Sequence, residues 1–197
     1  MRTLAVAAVL GPLLFGVTAL VAPLLQPGMG IVGESISSFA VGSYGWVLRA
    51  MFFLLGAGSL ALAWGLRSTM AATEEGRAGW VLVAVWGVGS ILGGVYPADE
   101  ANRDIHSFVV TVGFVAIVAA ILVLAHAFGE DTAWRRLAPP SAAFGVTATL
   151  TCLLTALTRT SWFGVTERLF IATVLCWLVL AALHLYRVAS VPIESRR

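Results

Sequence analysis

The sequence predicts an all-α membrane protein, a bundle of six transmembrane helices. Of its 197 residues, 59% are hydrophobic and 11% are charged, and the mean hydropathy is +0.94. Soluble domains are about 45–50% apolar and about 25% charged, so this chain lacks the charged surface of a water-soluble protein. Six apolar runs approach or exceed the roughly 20 residues that cross the hydrocarbon core of a bilayer.

The six runs belong to a single domain, because no polar stretch between them reaches the roughly 50 residues of a separate domain. The predicted spans are residues 3–25, 46–66, 79–95, 105–128, 138–157 and 165–186. The first run exceeds the roughly 7–15 residues of a signal-peptide core, and we interpret it as a retained span. Residues 26–45, rich in Gly and Ser, predict a loop with a short interfacial helix before the second span.

The later spans are divided by shorter connections. The third span contains Gly89 and Gly93, a spacing that allows close helix packing. The fourth begins at the end of residues 93–107, GGVYPADEANRDIHS, a polar run that carries three acidic residues, one Arg and one His. Two prolines suited to a first helical turn open the fifth span, and a short turn leads to the sixth.

The basic residues predict which way the bundle faces. Six spans place both termini on one side of the membrane. The chain has twelve Arg residues and no Lys. The side with the termini receives eight of these Arg residues, namely Arg2, Arg67, Arg77, Arg135, Arg136, Arg187, Arg196 and Arg197. The positive-inside rule therefore predicts that both termini are cytoplasmic and that residues 93–107 face outward. An all-Arg composition is typical of a GC-rich bacterial genome, so we expect the cytoplasmic membrane of a bacterium.

This topology gathers ionisable residues at the outer ends of the second, fourth and sixth spans. The candidate ligand-binding residues are Glu34, Arg49, Asp99, Asp104, His106, Glu167 and Arg168. Ionisable groups inside spans are costly, and they mark either a functional site or ion pairs that fix packing. For Arg49 and Arg168 we favour the structural role, although Arg at the headgroup level also suits recognition of phosphate.

A catalytic interpretation centres on His106. Asp99 and Asp104 lie close to it in sequence, and a carboxylate that orients an imidazole is the arrangement of a general base. Ser37 or Ser38 would then be the nucleophile. A His that is simply satisfied at a helix N-terminus explains the same pattern, and we favour it.

Metal and cofactor sites are not expected. His126 and His184 lie at the inner ends of their spans, about 30 Å from His106 along a straight helix. We interpret both, together with Trp134, as interfacial anchors. The two cysteines, Cys152 and Cys176, lie within apolar runs at different depths, so we expect two buried free thiols that act as small hydrophobes.

Four short motifs, in order along the chain, carry a resemblance. They are Ile36–Phe39 before the second span, Tyr96–Asp99 after the third, His106 at the mouth of the fourth, and Gly164–Arg168 at the start of the sixth. In this order and spacing the chain resembles the domain-of-unknown-function family 998 of bacterial and archaeal membrane proteins. Ser107 departs from the pattern, since family members often have Gly after this His. The resemblance implies a six-span membrane protein and supplies no reaction.

The predicted function is binding rather than catalysis. We expect an outward-facing polar site for a lipid headgroup or small amphiphile, with Arg49 and Arg168 contacting an anionic group. The alternatives are a membrane-embedded hydrolase or transferase that uses His106 and Asp99, a transporter, and an accessory subunit of a membrane complex. Membrane lipids are the expected partners, and a homo-oligomer or a partner subunit is left open. The net charge of +2 gives no indication of nucleic-acid binding.

Overall fold

A computed structural model describes residues 1–26, 28–158 and 161–190, and throughout these ranges the regular structure is helical. The six long helices are α1 Arg2–Leu25, α2 Gly45–Thr69, α3 Glu74–Val95, α4 Arg103–Glu130, α5 Ala138–Leu157 and α6 Phe163–Val188. Short 3₁₀ helices cover Ser37–Ala40 and Arg135–Leu137. All six long helices have the length and hydropathy of membrane spans, which confirms the predicted six-span all-α fold. Arg159, Arg196 and Arg197, which contribute to the predicted orientation, lie outside the described ranges.

The helices pack in chain order as a ring. Each helix packs against the next, and α6 closes the ring against α1 and also contacts α2. Helices α2 and α6 are the most buried, with half of their spanning residues inside the bundle. Glycines allow the closest crossings: a Cβ at Gly11 would overlap the Leu54 carbonyl oxygen, and one at Gly89 would lie 3.6 Å from the Cα of Gly113. The close packing predicted at Gly89 is therefore found between α3 and α4.

Since consecutive helices run in opposite directions, the loops collect at two ends of the bundle. We call the end with the α1–α2 loop (residues 28–44), the α3–α4 loop (residues 96–102) and the first turns of α2, α4 and α6 the polar end. The α2–α3 and α4–α5 loops form the opposite end, together with the N-terminus. The predicted outer residues thus share one end of the bundle.

A buried carboxylate ties the loops of the opposite end together. The side chain of Asp131 accepts hydrogen bonds from the backbone N–H of Ala71 (2.8 Å), Ala133 (2.8 Å) and Trp134 (3.3 Å). Trp134 is fully buried and stacks on Phe128 at 5.0 Å between ring centroids. The interpretation of Trp134 as an interfacial anchor is therefore wrong, because the 3₁₀ turn after α4 folds its ring into the bundle.

The prediction that both cysteines are buried is wrong for Cys176, because this residue lies on the outer surface of α6. Cys152 and Cys176 are both free thiols, Cys152 partly buried and Cys176 exposed on the helix surface. No group of three or more metal-ligating side chains occurs in residues 1–26, 28–158 or 161–190.

Candidate functional site

The α1–α2 loop lies across the polar end and is bound there by α6. Its centre is the 3₁₀ helix Ser37–Ala40, in which Phe39 is buried. The Glu167 carboxylate, 6% exposed, accepts a hydrogen bond of 2.6 Å from the backbone N–H of Ile36 through Oε2. On the other side, the Gln26 amide donates to the Phe39 carbonyl at 2.8 Å. These two bonds hold the 3₁₀ helix over the ends of α1 and α6.

Arg168 makes the second connection between α6 and this loop. Its Nη1 donates to the carbonyl oxygens of Ile31 (2.9 Å), Glu34 (2.8 Å) and Gly164 (2.8 Å). The guanidinium carbon lies 5.6 Å from the centre of the Phe39 ring, within cation–π range. Arg168 therefore binds loop carbonyls, in place of the carboxylate partner expected for an Arg in a span.

Arg49 joins α2 to the end of α3. Its Nε donates to the Gly94 carbonyl at 3.2 Å, and the side chain is otherwise exposed. Its terminal nitrogens make no hydrogen bond to a described residue, so they face the surroundings of the polar end.

His106 is buried, with 5% of its surface exposed. Its Nδ1 lies 2.7 Å from the carbonyl oxygen of Tyr96. Because a carbonyl oxygen only accepts, Nδ1 carries a proton, and in the neutral ring Nε2 is an acceptor. This Nε2 is buried without a hydrogen-bond partner among the described residues. The imidazole thus closes the α3–α4 loop onto α4 and keeps one lone pair free inside the protein.

A shallow groove of about 560 Å³ opens beside the α3–α4 loop. The groove is lined by Ser38, Val41, Ala98, Asp99, Glu100, Ala101 and Arg103. Asp99 is held in place because its Oδ1 accepts from the backbone N–H (2.9 Å) and the side-chain amide (2.8 Å) of Asn102. The groove therefore presents two carboxylates, one guanidinium and one hydroxyl.

A second space, a cavity of about 30 Å³, lies inside the bundle on the other side of the 3₁₀ helix. Its lining is mostly apolar and includes four aromatic side chains, Phe15, Phe52, Trp86 and Phe114. Ser37, Ser90 and Glu167 supply the polar groups. Because Ser37 lines the cavity and Ser38 lines the groove, the 3₁₀ helix is the partition between the two spaces.

The faces of α3 and α4 that line this cavity extend to the polar end. On α4, Val109, Val110 and Gly113 line the cavity, and His106 precedes them at i−3, i−4 and i−7, which places it on the same helix face. A Cβ at Gly93 of α3 would lie 3.9 Å from Cε1 of His106 and 3.8 Å from the Phe52 ring. His106 therefore lies at the end of the cavity wall, next to one of its aromatic rings.

The family described as "Protein of unknown function (DUF998)" matches residues 9–184. The chain belongs to this family. Comparison with curated proteins and with solved structures gave no match.

The four motifs of this DUF998 protein meet as two pairs. Ile36–Phe39 is held by Glu167 and Arg168 of the last motif, and Tyr96 is held by His106. The four motifs on which the resemblance was based therefore contact each other in pairs and close the polar end of the bundle.

The predicted site residues of this DUF998 protein are distributed over separate places. Glu167 lines the cavity, and Asp99 and Ser38 line the groove. Glu34 and Asp104 have exposed side chains at the surface of the polar end. The other three candidates, Arg49, His106 and Arg168, contact backbone carbonyls and line neither space.

Sequence reasoning missed the contribution of α3, and it placed Arg103 of the groove at the outer side without making it a candidate site residue. Trp86, Gly89 and Ser90 line the cavity, and with Gly93 they follow the i, i+3, i+4, i+7 spacing of one helix face. In the sequence, a Trp and a Ser that share one helix face with two glycines indicate a polar site within the third span.

Proposed function

We propose that this protein binds the headgroup of a membrane lipid or a small amphiphile at its polar end, which faces outward. The observation that supports this is the pairing of a polar groove with a mostly apolar cavity, divided by the single 3₁₀ turn Ser37–Ala40. Binding sites for small molecules are mostly apolar with a few convergent polar groups. The proposed outward orientation follows from the distribution of Arg between the two ends.

The groove suits a headgroup that carries charge of both signs. Asp99 and Glu100 offer carboxylates, and Arg103 offers a guanidinium. The exposed nitrogens of Arg49 add positive charge at the same end of the bundle. Arg side chains near the membrane surface attract lipid phosphate.

The geometry favours binding over hydrolysis. A general base must lie within hydrogen-bond reach of the proton that it removes. The His106 ring bonds the Tyr96 carbonyl, and no Ser hydroxyl or carboxylate among the described residues bonds to it. The Ser37 and Ser38 hydroxyls lie 3.0 Å and 2.7 Å from the hydroxyl of Ser35. Neither Ser37 nor Ser38 therefore makes the hydrogen bond to His106 that would activate it as a nucleophile.

Retention of lipid tests this function. The wild type, Arg49→Gln and Arg103→Gln are purified in mild detergent, and the bound lipids are quantified by mass spectrometry. We expect each variant to retain about fivefold less of the enriched lipid class, since one Arg near a membrane surface contributes about 1 kcal/mol to lipid attraction. Arg77→Gln, an exposed Arg at the opposite end, is the control and should retain the wild-type amount. Equal retention by all four proteins would contradict the proposal.

A further inference from the structure

The cavity behind the 3₁₀ helix has the lining of a cation site. Phe15 and Phe52 meet edge to face at 5.0 Å between ring centroids, and Trp86 and Phe114 lie 6.2 Å apart. All four rings line the same cavity as the Glu167 carboxylate. Aromatic faces attract cations, and aromatic cages are a common means of binding organic ammonium groups.

Glu167 has one oxygen available to a ligand. Its Oε2 accepts from the backbone N–H of Ile36, whereas Oε1 receives no hydrogen bond from a described residue. Arg168, the neighbouring cation, donates through Nη1 to three carbonyl oxygens. Its Nη2 is buried without a hydrogen-bond partner among the described residues, but Arg168 does not line the cavity, and adjacent helical residues do not face each other.

His106 provides a second acceptor at the end of the cavity wall. Its Nε2 lone pair is buried and unpartnered among the described residues, and the ring shares its helix face with the cavity-lining Val109 and Val110. The indole N–H of Trp86 is also buried without a partner. In the described part of the chain, the unpartnered acceptors in the cavity lining and at its end, Glu167 Oε1 and His106 Nε2, outnumber the unpartnered indole donor of Trp86, and one of them belongs to a carboxylate. This balance favours a ligand with a positively charged donor group.

The volume of the cavity limits the class of ligand that it can hold. A cavity of about 30 Å³ holds a group the size of one or two water molecules. A primary ammonium fits this space and has three N–H donors, of which one can bond the free oxygen of Glu167. A phosphate or a carboxylate of the ligand would instead place its negative charge beside Glu167.

We infer that this cavity binds a primary ammonium group, supplied by a small amine or by an amine-bearing lipid headgroup. The inference rests on the proposed function, because it names the chemical class of the ligand at the same site. It also differs from the anionic partner predicted for Arg49 and Arg168, whose side chains line neither the cavity nor the groove.

The test compares three probes of equal length in nanodiscs of phosphatidylcholine, which has no primary amine. Propylamine, propanol and propionate are each titrated against the full chain, and the midpoint of thermal unfolding is recorded. Propylamine should raise the midpoint in a saturable manner, and the other two should not. In Glu167→Gln the affinity for propylamine should fall at least tenfold, because the buried charge partner is lost. Gln keeps an oxygen that can accept from the Ile36 N–H.

Two further variants separate binding from folding. Glu75→Gln removes an exposed carboxylate at the opposite end of the bundle and should leave propylamine binding unchanged. Phe15→Leu removes one ring from the cavity wall and should weaken binding even if Glu167→Gln proves unstable. Propylamine that stabilises Glu167→Gln and Phe15→Leu as much as the wild type would overturn the inference.

A comparison of nanodiscs made from two lipids identifies the source of the ammonium group. If the lipid supplies it, the wild type should be more stable in phosphatidylethanolamine nanodiscs than in phosphatidylglycerol nanodiscs, and Glu167→Gln should lose this difference. Preference for propionate overturns the ammonium assignment and leaves the proposed function standing. If no probe and no phosphatidylethanolamine changes the stability, but lipid retention depends on Arg49 and Arg103, the ammonium assignment is likewise overturned and the proposed function stands. If lipid retention is also independent of Arg49 and Arg103, both proposals fail.

Discussion

Replacing Arg168 with Met is expected to release the α1–α2 loop from α6. The Nη1 group donates to the carbonyls of Ile31, Glu34 and Gly164, and Met keeps only the apolar part of the side chain against Phe39. Hydrogen bonds to charged groups contribute about 1.5–3 kcal/mol each, and three carbonyls here share one nitrogen, so we expect a loss of about 2–4 kcal/mol. The midpoint of thermal unfolding should fall, and protease should cleave residues 28–44 faster.

Arg49→Met is the matched control for this prediction. Arg49 is exposed and makes one hydrogen bond, to the Gly94 carbonyl, on the other side of the polar end. Its replacement should change the unfolding midpoint less and leave cleavage of the α1–α2 loop at the wild-type rate. Cleavage that is equally slow in Arg168→Met and in the wild type would show that Arg168 does not hold the loop.

Replacing Asp131 with Ala is expected to destabilise the opposite end of the bundle. The N–H groups of Ala71, Ala133 and Trp134 all donate to this carboxylate, which is 8% exposed. A buried polar group left without a partner costs about 1–3 kcal/mol, so we expect a total loss of about 3 kcal/mol in the free energy of unfolding. Thermal unfolding and amide exchange at Ala71 measure the effect.

Two further substitutions interpret the Asp131 result. Asp131→Asn keeps one acceptor oxygen and should lose about half as much stability. Glu130→Ala removes the neighbouring carboxylate, which is 56% exposed and lies 3.7 Å from His126. Such surface pairs contribute about 0–1 kcal/mol, so this change should be small. Equal losses for Asp131→Ala and Glu130→Ala would contradict the role given to Asp131.

The architecture could be predicted because lipid imposes a simple length rule on each span. Long apolar runs identified all six helices, and the predicted bounds of α5 agree with the structure. The bounds of α3 differ, since that helix begins at Glu74 and not at residue 79. The Thr73 hydroxyl accepts from the Gly76 N–H at 3.0 Å and caps the helix. The helix therefore begins five residues before the predicted start of the span. Hydropathy marks the apolar part of a helix, whereas capping sets where it begins.

The site was predictable as a set of residues and not as a set of contacts. Topology alone placed Glu167, Arg168 and His106 at one end of the bundle. Their partners could not be predicted, because Glu167 bonds an amide and the other two bond carbonyls, and every residue type carries these backbone groups. A buried loop must satisfy its backbone hydrogen bonds, and here side chains from α4 and α6 do so. These candidate ligand-binding residues therefore hold the loops in place.

Photo-cross-linking from the groove tests the central claim most directly. A benzoyl-phenylalanine at Val41, an exposed residue of the groove lining, is compared in native membranes with one at Leu150, an exposed residue within α5. The proposed function predicts that Val41 adducts are enriched in one class of lipid or amphiphile, while Leu150 adducts follow the composition of the membrane. The same distribution of adducts at both positions would contradict a binding site at the polar end.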